Sequence, residues 1–99
     1  MPSSASPLPD PDRTPETPAL FSDFMTAANG EGAVSARTKE LMSLALAFLS
    51  RCEPCIEAHV EKARSLGIGD EEINEALWLA VSFGGAPILT FYKTMREKA

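Results

Sequence analysis

The chain has 99 residues, 44% of them apolar, and a formal net charge of −5. That allows one compact domain with a modest core and excludes two. The acidic balance, with Lys and Arg dispersed along the chain, argues against a nucleic-acid partner, and no apolar run approaches the ~20 residues of a membrane span.

Residues 1–17 form a segment of distinct composition, with Pro2, Pro7, Pro9, Pro11 and Pro15 set among Ser, Asp and Thr. Such a stretch buries too little apolar surface to offset its ordering entropy, so a solvated, flexible N-terminal arm is expected. It has neither the basic nor the apolar region of an export signal, and the expected location is the cytoplasm.

Residues 18–99 read as a single all-α domain, a compact bundle of about five helices with no strand. The first helix runs from about Pro18 to Ala28, with Thr17 as cap and Asn29-Gly30 as stop; Leu20, Phe21, Phe24, Met25 and Ala28 recur at helical spacing. Ser35 caps the second, whose buried stripe is Leu41, Leu44, Ala45, Phe48 and Leu49, reaching Cys52 at its next step. The third begins at Pro54, where a missing N–H is harmless, and ends at Leu66 before Gly67. Its stripe is Cys55, Ile56, His59, Val60, Ala63 and Leu66.

Asp70 caps the fourth helix, with Glu71 and Glu72 in the first turn where the helix dipole favours negative charge. From Ala76 to Phe83 this helix is apolar at every position except Ser82. A helix apolar all round must be buried all round, and so small a bundle can hardly enclose one. Part of that surface, Trp78 included, is expected in a subunit interface. Gly84-Gly85 breaks the helix, and Pro87 opens a fifth with Ile88, Phe91, Tyr92 and Met95 facing inward.

The chemistry concentrates in Cys52-Glu53-Pro54-Cys55. Two cysteines three positions apart close almost no loop, so a bridge between them has chemical rather than structural value. They straddle a helix start, where unpaired N–H groups and the dipole stabilise a thiolate. His59, the chain's only histidine, lies one turn after Cys55 on the same face and can take the thiol proton or hold the thiolate as an ion pair. Thiolate, base and second thiol are what peroxide reduction or disulfide exchange requires. The rival readings are plainer. Cys52, Cys55 and His59 supply three zinc ligands where a structural site needs four. The cysteines could pack inertly, His59 could be a core residue, and Glu40 could be a solvated acid near a helix start. A haem site is excluded because Ile56, not His, follows Cys55. No metal or cofactor is expected.

Glu40, eleven intervening residues, Cys52-x-x-Cys55, three more and then His59 resembles the signature of alkylhydroperoxidase D-like proteins of the carboxymuconolactone decarboxylase superfamily. The resemblance extends over about Ser35 to Lys98, through Gly67-Ile68-Gly69-Asp70-Glu71-Glu72-Ile73 and the Gly-Gly break. It implies an all-α fold, assembly as trimers or hexamers, and a peroxidase or disulfide-reductase centre. By the same resemblance Cys55 is the attacking thiol, Cys52 the resolving thiol, and His59 with Glu40 a proton relay. The substrate is then a hydroperoxide or a disulfide, and an external dithiol restores the pair. Glu53 and Pro54 stand where the best-known peroxidase members carry a histidine between the cysteines, and those members are roughly twice as long. The alternatives are a decarboxylase-like lyase acting on a small carbon acid, whose family members generally lack the cysteine pair, and a non-catalytic helical assembly module.

Overall fold

The structure is a computed structural model that describes residues 6–98; the first five residues of the proline-rich arm and Ala99 lie outside the described residues. Five α-helices and no strand are found among the described residues: α1 (Thr17–Asn29), α2 (Ala36–Ser50), α3 (Glu53–Ser65), α4 (Asp70–Gly84) and α5 (Ala86–Lys98). The all-α expectation therefore holds. The chain divides into two compact units, Met1–Gly30 and Glu31–Ala99.

In the first unit, a single 3-10 turn at Pro11–Arg13 precedes α1. Thr17, expected as the cap of α1, is instead its first residue, and Glu16 occupies the cap position with no side-chain hydrogen bond. Pro18 then falls in the first turn, where its missing N–H costs nothing. The apolar residues at helical spacing stay uncovered: Leu20, Phe21, Phe24 and Met25 are all exposed, and the Phe21 and Phe24 rings stack at 6.4 Å.

The second unit is built around α2, which packs against α3, α4 and α5. Its N-terminus is capped as expected, the Thr38 N–H donating to Ser35 Oγ at 3.1 Å. Leu44, Ala47 and Phe48 enter the core, where they meet Ile56 and Ala63 of α3, Ile68, Ile73, Leu77 and Ala80 around α4, and Ile88 of α5. Phe48 and Tyr92 lock α2 to α5 edge-to-face at 5.3 Å, the geometry that ring quadrupoles favour. Leu41 and Ala45 are half-buried against this core, but Leu49 at the end of the stripe is exposed.

Two corners set the angles between the helices. At the end of α2, Arg51 adopts the left-handed conformation (φ 52°), and its N–H bonds back to the Phe48 carbonyl at 3.1 Å. At the end of α3, Gly67 takes φ 78°; its N–H bonds to Arg64 O and the Ile68 N–H to Ala63 O, both at 3.0 Å, so that Ile68 folds back into the core. Asp70, expected as the α4 cap, is the first helical residue, and Gly69 takes the cap position. The capping carboxylate comes from inside the helix: Glu72 Oε1 accepts from the Gly69 N–H at 3.4 Å and from Arg37 Nη2 at 2.9 Å.

Within this chain α4 buries Ile73, Ala76, Leu77 and Ala80, while Trp78 and Leu79 are 56% exposed and Phe83 80%. No helix among the described residues is long and apolar enough to cross a membrane.

Gly84, the last residue of α4, has no room for a side chain. A Cβ there would lie 2.5 Å from Ile88 Cγ1 and 2.8 Å from Leu49 Cδ1. Helix propensity alone would reward Gly84→Ala by up to ~1 kcal/mol. The contact with buried Ile88 reverses the sign, and urea unfolding of Gly84→Ala should show a net loss of about 1–3 kcal/mol.

Candidate functional site

Glu40 is the structure's buried charge. It lies in the second turn of α2, only 1% exposed, among residues that are otherwise apolar. An ionised carboxyl is tolerated there only with a hydrogen-bonding partner. His59, on the facing side of α3, supplies one: Nδ1 lies 2.8 Å from Glu40 Oε1. An ionised carboxylate only accepts, so opposite one Nδ1 is the donor, and in the neutral ring of that tautomer Nε2 is the free basic atom. Glu40 Oε2 accepts no hydrogen bond from the described residues, and Lys62 Nζ stands 3.7 Å from it.

The two cysteines are joined as a disulfide, with their Cα atoms 5.2 Å apart. Cys52 is the N-cap residue of α3 and is half-buried; Cys55, at the third helical position, is exposed. The backbone holds both. The Cys52 N–H bonds to Ala47 O at 3.4 Å, tying it to the end of α2, and Cys52 O accepts the first intrahelical bond from the Ile56 N–H at 2.9 Å. Pro54 sits in the first turn, as its fixed φ allows. Cys55 and His59 are one turn apart on α3, and Lys62 continues the same face.

The structure thus pairs the four residues expected from the sequence two by two, Glu40 of α2 with His59 of α3 by a hydrogen bond and Cys52 with Cys55 at the start of α3 by a covalent one. The expected burial of the α3 stripe is corrected. Ile56 and Ala63 are buried, but Cys55 and Leu66 are exposed and His59 is only partly covered, because α2 meets α3 along the Ile56–Ala63 line. Two lysines were not foreseen. Lys62 follows His59 by three positions, a spacing that puts the two on one face, but a cation in the last turns of a helix is ordinarily explained by the dipole. Lys98 reaches from the end of α5 to within 3.7 Å of Glu53 Oε2, so the carboxylate between the cysteines faces a cation; nothing local in the sequence announces that long-range pair. Two cavities of 400 and 380 Å³ lie along the opposite side of α3, lined by Val60, Arg64, Tyr92 and Arg96.

With this geometry in place, the chain can be set against known proteins. The model of the carboxymuconolactone decarboxylase family matches residues 15–92. The uncharacterised protein 4 of the cox locus of Paracoccus denitrificans is 46% identical over 50 residues, which is 50% of this chain and 45% of that protein. An uncharacterised protein of Cupriavidus necator is 32% identical over 73 residues, 74% of this chain and 65% of its own length. The chain therefore spans less than two thirds of either relative. Among solved structures, a carboxymuconolactone decarboxylase family protein of Legionella pneumophila superposes with a TM-score of 0.77 at 36% identity, covering 87% of this chain and 77% of that one. A Thermotoga maritima family protein, suggested to be involved in an antioxidative response, gives a TM-score of 0.77 at 30% identity over 86% of this chain and 88% of its own.

The Glu40–His59 contact should carry stability as well as chemistry. His59→Ala leaves a buried carboxylate without its donor, and urea unfolding near neutral pH should register a loss of about 1–3 kcal/mol.

Proposed function

This chain belongs to the carboxymuconolactone decarboxylase family, and within that family we propose that it is a thiol-dependent peroxidase or disulfide oxidoreductase. The observation that carries the reading is the redox pair itself: a Cys52–Cys55 disulfide at the first turn of α3, on the same helix as an imidazole oriented by a buried carboxylate. A lyase acting on a carbon acid could use Glu40 and His59 but would leave the two sulfurs without a task. The antioxidative role suggested for the Thermotoga relative supports the thiol reading.

In the proposed cycle the reduced Cys55, the more exposed of the two cysteines, gives its proton to His59 Nε2. The thiolate attacks the terminal oxygen of a hydroperoxide, the O–O bond breaks, and the departing alkoxide takes that proton to leave as an alcohol. Cys55 is now a sulfenic acid. The Cys52 thiolate attacks the Cys55 sulfur, the S–OH bond breaks, and water departs with the Cys52 proton. An external dithiol reduces the resulting disulfide by thiol exchange and leaves as a disulfide itself. With a disulfide as substrate, the same first attack gives a mixed disulfide that Cys52 resolves. Glu40 keeps the imidazole in the tautomer that frees Nε2. Lys98 offsets the negative charge of Glu53, which would otherwise oppose thiolate formation.

Thiol counting tests this reading. The reduced, folded protein should titrate two thiols, and one equivalent of hydroperoxide should remove both without intermolecular crosslinks. In Cys52→Ser the remaining thiol should alkylate fast at neutral pH, and adding His59→Ala should slow it about tenfold, the equivalent of one pKa unit in the thiol. Two thiols persisting after prolonged peroxide exposure would overturn the proposal.

We further propose that the working form is a homo-oligomer, a hexamer or a trimer. Trp78, Leu79 and Phe83 of α4 and Met42 and Leu46 of α2 are large, exposed and apolar, more than single surface residues would explain. Light scattering at micromolar concentration should give at least three subunits, and a stable mass of 10.6 kDa would contradict this.

A further inference from the structure

Glu40 has two carboxylate oxygens, and the relay described above uses one. Oε1 accepts from His59; Oε2 is equally buried and takes no hydrogen bond from any described residue. A buried oxygen of this kind is costly unless some charge answers it. The charge nearest to it is Lys62, whose ammonium stands 3.7 Å away at the end of a side chain that is 48% exposed. We infer that Lys62 is a positioning residue of the proton relay: its charge keeps the Glu40–His59 pair from taking up a second proton and so keeps His59 Nε2 empty.

The sign follows from counting protons. With one proton on the pair, Glu40 is ionised, Nδ1–H donates to it, and Nε2 is bare. A second proton has two resting places. It sits on Nε2, making an imidazolium–carboxylate pair, or it moves to Glu40, which then donates to Nδ1 while Nε2 keeps the ring proton. In both arrangements Nε2 is occupied and no longer a base. The pair titrates as a unit, so the two arrangements need not be separated. A neighbouring cation disfavours the added positive charge in either case. Removing the cation therefore lets the pair hold its second proton to higher pH.

Among the described residues no other ion pair competes for this role. Among the described residues, the basic nitrogens within 4 Å of the Glu40 carboxylate are those of His59 and Lys62, both from α3. On α4, which packs against α2, Glu72 is engaged by Arg37 of α2 at 2.9 Å. Lys62 lies outside the spacing of Glu40, Cys52, Cys55 and His59, yet it shares the α3 face of Cys55 and His59.

This inference rests on the relay reading of Glu40 and His59, and its test is independent of sulfur turnover. The chain contains one histidine, so its imidazole ¹⁵N signals are assigned without ambiguity. The full-length oxidised protein should be titrated, because neither cysteine then ionises. In Lys62→Met the loss of the Nε2 proton should move to higher pH by about 0.5 to 1 unit, less than a fully desolvated pair would give because Lys62 is partly in water. Lys62→Arg should restore the wild-type midpoint. Since Lys62 is half-exposed, thermal unfolding should show both variants folded. An unchanged or lowered midpoint in folded Lys62→Met would overturn the inference. So would a shift of equal size in Lys62→Arg, which would mean that the ammonium's shape rather than its charge matters. Failure of the thiols to cycle with peroxide would sink the proposed activity and leave this titration standing.

Discussion

A carboxylate sunk among apolar side chains is the constraint around which the second unit of this protein is arranged. Glu40 lies on the same stretch of α2 as Leu44, Ala47 and Phe48, so the helix cannot bury those residues without burying the charge. Its hydrogen bond to His59 therefore sets which face of α3 meets α2. Docking α3 by Ile56 and Ala63 alone would tolerate some rotation, since apolar contacts are non-directional. Adding one charged hydrogen bond at 2.8 Å fixes the rotation, and with it the positions of Cys52 and Cys55 at the near end of the helix. The redox pair is thus placed by the group that is proposed to serve it.

The helices themselves were readable from the sequence because their signals are local. Ser35 as a cap, Gly67 as a stop, Pro54 in a first turn and the Gly84-Gly85 break act over three or four residues, and each falls where the pattern puts it. Caps whose partner comes from further along were displaced: Gly69 takes the place expected for Asp70 because Glu72 reaches back to its N–H. Burial was less legible. Periodicity finds the apolar face of a helix, but not how much of it a neighbour covers, and so Leu49 and Leu66 were expected inside and lie outside.

The site divides along the same line. Cys52, Cys55 and His59 share one helix and stand out by spacing. Glu40 sits nineteen residues from its partner, and only the resemblance to a family singled it out. Lys62 and Lys98 had no signal, because a solvated lysine near a helix end is unremarkable until the chain folds and an acid is found opposite. Charge pairs between helices are decided by docking angle, which composition and period do not encode.

The corner between α2 and α3 has a kinetic consequence. Arg51 in its left-handed conformation and the back-bonded N–H of Cys52 pin one sulfur-bearing backbone to the end of α2, while α3 itself carries the other. Breaking the S–S bond would not let the two Cα atoms drift far beyond 5.2 Å. Held so, the two side chains meet as an intramolecular pair, and well-oriented groups of that kind behave as though present at effective concentrations far above any a solute reaches. A sulfenic acid formed at Cys55 would face a race between its tethered neighbour and a second molecule of oxidant. Under the proposed cycle, dilute oxidant would lose that race, and the irreversible rungs of sulfur oxidation would stay out of reach.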